Sequence, residues 1–290
     1  MMPFSAPLPD LIKSRRSCRT YEKKPIAVET AAQLRGFAGS LQQGPFHSAL
    51  RFELVAGGEK EARTLKGLGT YGFIKNPAGF LIGAVGPGAK NLEDFGFSME
   101  ALILYATSLG LGSCWLGGSF SKSRFAAKVR ATAAEMVPAV AAVGYPADET
   151  RLRALLRTRI KADARKPWHS LFFHGDLATP LAEESAGAYA VPLQMLRLAP
   201  SASNKQPWRV VQQGACFHFY LQRSPGYHRN LSPLPSFIIA DLQRVDMGIA
   251  MCHFQLTAEE MGLKGEWSVA DPDIAKPNET VEYIASWTGK

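Results

Sequence analysis

The sequence predicts an α+β protein built from two tandem, degenerate copies of one unit, folded against each other as an intrachain pseudo-dimer. Three observations point there. The stretch DFGFSMEALILYATSLGLGSCW (94–115) lies without a gap over DMGIAMCHFQLTAEEMGLKGEW (246–267), with eight of 22 positions identical. Apolar residues recur at helical spacing in each: Met99, Leu102, Ala106 and Leu109, then Met251, Phe254, Ala258 and Met261. Strand-like runs flank both copies in a similar order.

The chain opens on MMPFSAPLPDLIKSRRS, which lacks the basic-then-apolar pattern of a leader. No apolar run reaches the roughly eighteen residues of a membrane span, so the expectation is a cytoplasmic protein without membrane contact. SRRSCRTYEKKPI (14–26) precedes a helix predicted from near Ala27, and LRFELVAG reads as an opening strand. GFLIGAVG reads as a buried strand before the first repeated helix, and SFIIAD as its counterpart before the second. Each repeated helix ends in Gly-Leu (Gly110, Gly262), the glycine standing at the expected C-terminal position. PAVAAVGYP and TVEYIASW then supply a closing strand in each copy, and WRVVQQG opens the second as LRFELVAG opens the first. Gly96, Ala101 and Ala106 make the first helix small enough to sit centrally, and two such helices can pack as in a two-fold dimer. The connecting segment YPADETRLRALLRTRIKADARKPW reads as helical and charged rather than as a flexible linker. The expected division is residues 1–165 and 166–290.

Composition narrows the function classes. The 290 residues are 46% apolar and 20% charged, as in an ordinary globular protein. The net charge of +8 is dispersed, and the densest cluster, RLRALLRTRIKADARK (151–166), reads as a solvated helix face rather than a nucleic-acid site. Cys18, Cys114, Cys216 and Cys252 are far apart, and the six histidines have no ligand spacing, so neither a disulfide scaffold nor a metal centre is expected. GxGxxG, GxxxxGK[ST] and GxSxG are all absent.

What remains is two unlike motifs. Arg15, Arg16, Ser17 and Arg19 gather three guanidinium groups and a hydroxyl, a set suited to phosphate oxygens. LAPSASNKQPWRVV (198–211) contains no carboxylate, histidine or cysteine, so it is not acid–base machinery. The first copy has QQGPFHSALRF in that place, without the Ser-x-Asn or Gln-Pro-Trp. Conversely, the glycine pair of GSCWLGGSF has no equivalent in GEWSVADP. Each copy keeps what the other lacks, which predicts one composite site per chain.

RRSCRTY, APSASNKQPWRVV and GLGSCWLGG…VGYP…RKP together resemble the FMN-dependent nitroreductase family, and the duplicated order resembles its tandem, single-chain form. That resemblance implies an FMN oxidoreductase in which NAD(P)H and a small electron-poor acceptor, a nitroaromatic or quinone, alternate in a ping-pong cycle. It implies that Arg15 and Ser17, with Arg16 beside them, hold the phosphate, and that Arg19 lies at the pyrimidine edge. Arg165 matches a second phosphate arginine, with Lys161 or Lys166 replacing a basic residue where this chain has Asp163. Gly117 and Gly118 match the segment approaching the flavin N5, and Gly72 and Lys75 a further flavin contact. Pro200, Ser201, Ala202, Ser203 and Asn204 match the loop that the opposite subunit contributes, with Gln206 orienting it. The chain would act as a monomer, its pseudo-dimer being internal. A different class stays open at this point, an FMN-binding protein without turnover. Trp115, Trp267 and Cys114 read as core residues, and His228 as a surface-loop histidine.

Overall fold

The computed structural model describes residues 4–56, 74–118, 120–147, 164–225 and 240–290. The first half contains α1 (Leu8–Ser14), α2 (Val28–Ser40), β1 (Leu50–Ala56), β2 (Gly79–Val85), α3 (Asn91–Ser108), β3 (Gly112–Leu116), α4 (Lys122–Lys128) and β4 (Val140–Gly144). The second contains β5 (Phe172–His174), α5 (Ala190–Arg197), β6 (Trp208–Gln213), β7 (Cys216–Gln222), α6 (Leu242–Glu260), β8 (Gly265–Ser268) and β9 (Val281–Gly289). Short 3-10 turns cover Trp168–Ser170, Glu184–Tyr189 and Ala202–Asn204.

The duplication extends to topology. The first sheet runs β1-β2-β4-β3 and the second β6-β7-β9-β8, antiparallel at every one of those pairings. The second sheet adds β5, parallel beside β6. In β1 the residues Leu50, Phe52 and Leu54 are buried while Glu53 is exposed, the two-residue period of a strand with one face covered. GFLIGAV is buried at every position of β2, which pairs on both sides. The predicted closing strands are β4 and β9. The run SFIIAD is different: residues 236–239 lie outside the described residues, and Asp241 caps α6. The strand in the place of β2 is β7, CFHFYLQ, an alternating run joined to β6 by a two-residue turn.

Between the sheets, α3 and α6 pack together as the repeat predicts. Gly96 and Gly248 make the contact close: a Cβ at Gly96 would strike the Val245 carbonyl, and one at Gly248 the Glu93 carbonyl. The four positions are related by the repeat itself, so the helix crossing sits on the pseudo-two-fold axis. Both helices close with the same cap. Gly110 and Gly262 have φ of 78° and 77°, and Leu111 and Leu263 N–H groups donate to the Ala106 and Ala258 carbonyls. The amphipathic reading needs correction, because every residue from Leu92 to Ala106 in α3 is buried. A helix that is enclosed by its own sheet, by α1 and α2 and by the partner central helix has no solvent face to leave polar. Met261, placed on the apolar face, is 44% exposed at the end of α6. No helix among the described residues is long and apolar enough to cross a membrane.

Candidate functional site

Residues 17–21 form a ribbon along the edge of the first sheet. The Cys18 N–H donates to the Ser113 carbonyl at 2.7 Å, Lys75 N–H to the Arg19 carbonyl, and Tyr21 N–H to the Lys75 carbonyl. Tyr21 is buried and its hydroxyl meets the Cys18 and Ala142 carbonyls, fixing the ribbon from below. Between this ribbon, the end of α1 and the start of β3 lies a cavity of about 670 Å³. Arg15, Arg16 and Ser113 line it from the first repeat, and Leu198 and Arg165 from the other side. Its lining holds four cations (Lys13, Arg15, Arg16, Arg165) and no carboxylate.

The Pro200–Pro207 loop reaches the same place from the second repeat. Arg165 donates to the Leu198 carbonyl at 3.0 Å and lies 3.5 Å from Asn204 Oδ1. Gln206 is buried: its Oε1 accepts from the Lys166 N–H at 2.7 Å, and its Nε2 donates to the Ala164 and Asn204 carbonyls and to Asn204 Oδ1. Ser201 Oγ accepts from the Gln206 N–H. Such bonds are needed, since Ser203, Asn204 and Gln206 all sit at left-handed φ (51°, 53°, 48°). Each of these conformations costs about 1–3 kcal/mol in a non-glycine residue, and surroundings must impose it. Asp246 supplies the final tie, accepting from the Ala202 N–H at 2.9 Å. Its repeat counterpart Asp94 accepts from the Phe46 and Ser48 N–H groups, in the first copy's version of the loop. Burial pushes both carboxyls upward, Asp246 well above the ordinary range, with the backbone N–H donors opposing the shift.

Beneath the cavity, a polar cluster joins the repeats. Glu100 and His253 are fully buried and Arg15 nearly so. Arg15 Nε is 3.6 Å from Glu100 Oε1, His253 Nε2 is 3.0 Å from the same oxygen, and Trp115 Nε1 donates to Oε2 at 2.7 Å. His253 Nδ1 faces the Met195 carbonyl, which only accepts, so that nitrogen carries a proton. Burial raises the Cys114 thiol, with the Arg19 and Arg15 charges opposing it, so Cys114 rests as a neutral thiol.

A second cavity, about 960 Å³, lies on the other side of the loop. Ala202, Ser203, Asn204 and Lys205 form one wall, with Lys166, Arg209, Arg223 and Leu242 among the rest. Gly117 adjoins it: a Cβ there would be 2.6 Å from Leu242 Cδ1, so the first repeat comes close to this cavity at Leu242.

The family described as "Putative TM nitroreductase" matches residues 8–258. The chain belongs to that family. Among solved structures, a protein from Thermotoga maritima MSB8 described as a putative nitroreductase aligns over 99% of this chain and 96% of its own, with TM-score 0.62 and 18% identity. That likeness shows the α+β nitroreductase-like fold. A nitroreductase family protein from Clostridium novyi NT (TM-score 0.41, 18% identity) covers 49% of this chain and 87% of its own. An FMN-dependent nitroreductase from Clostridium difficile R20291 (TM-score 0.38, 21% identity) covers 48% and 88%. No protein of curated function matches the sequence.

In this nitroreductase-family chain the sequence-predicted residues divide into three groups. Arg15, Arg16 and Arg165 line the first cavity; Ala202, Ser203 and Asn204 line the second, with Ser201 anchoring the same loop and Pro200 preceding it. Ser17, Arg19, Lys75, Gly117 and Gly118 line neither, and Arg19, Lys75 and Gly118 are exposed. Gly72, Lys161, Asp163, His228 and nearly all of the connecting charged segment lie outside the described residues. Trp115 and Trp267 pack against the core, each donating its indole N–H to the central helix on its own side. Sequence reasoning assigned no role to Asp94, Asp246, Glu100, His253 or Arg209. The signal for four of them was available: ionisable residues inside otherwise apolar helices are seldom buried without a partner. Among the described residues no cluster of three or more His, Cys, Asp or Glu is placed to hold a metal.

Proposed function

We propose that this chain is an FMN-dependent oxidoreductase with one composite flavin site, using NAD(P)H to reduce a small electron-poor acceptor such as a nitroaromatic or quinone. One observation carries this reading: arginines from both ends of the first repeat, Arg15, Arg16 and Arg165, converge on one cavity, and Arg165 is tied to the loop of the second repeat. The residues fit a flavin phosphate. Ser113 Oγ is buried at the cavity wall without a hydrogen-bond partner among the described residues, and buried polar groups are seldom left so. When bound, a flavin supplies hydride acceptance and donation, so the protein supplies position and charge. In that division Arg15, Arg16 and Arg165 hold the phosphate, with Ser17 on the adjacent ribbon. Arg19 and Lys75, held in register by backbone bonds, would supply positive charge to a bound flavin, and the Gly118 N–H would supply a donor to it. The Ser-x-Asn loop, rigid in its left-handed turns, walls the opposite side. No side-chain acid or base is required, which accords with a loop that has none. A single chain carries both halves of the site, so the working unit is a monomer.

Purified protein with bound FMN, mixed anaerobically with NADPH or NADH, is expected to bleach at the flavin band and recover its colour on adding a quinone. Retention of FMN without bleaching by either donor would leave a binding protein instead.

A further inference from the structure

The second cavity is chemically unlike a flavin-ring pocket, and its wall poses a question of charge. Four cationic side chains, Lys166, Lys205, Arg209 and Arg223, line it and no carboxylate does. Arg223 is neutralised from behind, donating to both Asp241 oxygens and to both oxygens of Glu282. The other three have no carboxylate partner among the described residues. Lys166 Nζ donates to the Gln206 carbonyl at 3.2 Å, and Arg209 donates to the Gln206 and Trp208 carbonyls, so both are positioned by backbone. Burial, followed by the charges of Arg209 and Lys205, pushes the Lys166 amine down to about 8. Like charges held together at a cavity wall cost free energy until an anion joins them.

We infer that this cavity binds the adenosine 2′-phosphate of the electron donor, so the chain prefers NADPH to NADH. The inference rests on the proposed flavin site and adds to it. The position argues for the donor rather than an unrelated anion. The cavity shares the Ala202–Asn204 wall with the loop proposed to cover the flavin, and Leu242 brings it against Gly117 on the other side. It therefore lies beside residues from both repeats that are proposed to face the flavin. The charges argue for the phosphorylated form. A site that reads an unmodified ribose 2′-OH uses an Asp or Glu, whereas arginine and lysine accommodate the phosphate. Here the carboxylates nearest the wall, Asp241 and Glu282, are committed to Arg223.

Two measurements on the full-length, FMN-loaded protein test this. Steady-state kinetics should give a KM for NADPH about tenfold or more below that for NADH, as expected for charge-assisted bonds to a dianion. In the Lys205→Ala, Arg209→Gln double variant, that ratio should fall to within about twofold of unity. Calorimetry reads the site without turnover: 2′-phospho-ADP-ribose should bind about tenfold or more tighter than ADP-ribose, and the double variant should lose the difference. Equal binding of the two nucleotides, or a preference that survives the double substitution, overturns the assignment. Inorganic phosphate that binds as tightly as 2′-phospho-ADP-ribose overturns it too, since the site would then hold a free anion. If neither donor bleaches the flavin but the calorimetric preference holds, the phosphate site stands and the enzymatic reading falls.

Discussion

At the scale of single residues, Gly96 and Gly248 leave the least room for a side chain of the glycines among the described residues. Each faces the backbone of the opposite central helix, and backbone cannot rotate aside as a side chain can. Gly248→Ala is therefore expected to destabilise by about 3 kcal/mol, at the upper end of overpacking costs, by urea denaturation. Gly36, on the surface of α2 with open space around it, is the control and should tolerate alanine. Glu100 belongs to another class. Glu100→Gln would leave Arg15 buried beside a neutral amide, and losing one member of a buried pair costs about 3–5 kcal/mol. For the exposed Arg19 the expected loss is functional: Arg19→Ala should retain the wild-type urea midpoint yet release FMN on dialysis. Protein that stays fully yellow would remove Arg19 from the site.

Among elements, the first sheet is tied to the segment after α4 by the paired backbone bonds of Val85 and Met136 and by one arginine side chain. Arg51 on β1 pairs with both oxygens of Glu135 and donates to the Val129 and Arg130 carbonyls. Its hydrogen bonds pull the Glu135 carboxyl down from the ordinary 4.5 to about 2. A depressed carboxyl stabilises the fold at pH above its unfolded value and loses that contribution as pH falls through about 2. Glu135→Gln should thus cost on the order of 1 kcal/mol at pH 7 and flatten the acid limb below pH 4.5. Urea midpoints at pH 7 and pH 3 give the comparison; an equal deficit at both would show that the pair contributes by packing alone. The helix caps are legible in sequence to the residue. Gly110 and Gly262 stand where the 3.6-residue pattern stops, and both take the left-handed turn that an L side chain enters at a cost of about 1–2 kcal/mol.

For the whole molecule, the composite-site reading makes one commitment: one FMN per chain, read from the ratio of flavin to protein absorbance. Two per chain would mean that the second repeat had kept a site of its own. The cross-repeat ties, Gly96 and Gly248 at the helix crossing, Arg244 with Glu93, and His253 with Glu100, make the two halves one body. Much of this was legible from the duplication alone, because residues that share a packing role keep their spacing when a unit is copied. That β7 holds the place of β2 is not legible in the sequence, since a short apolar run signals burial without saying which strand pairs with which. Division of the site residues between two cavities was also hidden. It depends on which side of the ribbon and loop each side chain emerges, and irregular backbone follows no period.

The sequence by itself determined the α+β class, the two-fold repeat, the central helices with their glycine caps, and the family. These are periodic or local properties, written in spacing and in residue type. Only the tertiary structure decided that Glu100 and His253 meet across the repeats, that Asp94 and Asp246 hold equivalent loops, and that Lys166, Lys205 and Arg209 face one cavity with no carboxylate among them. Those are contacts between residues that can be more than a hundred positions apart, and their energies depend on burial and distance, which the order of residues does not carry.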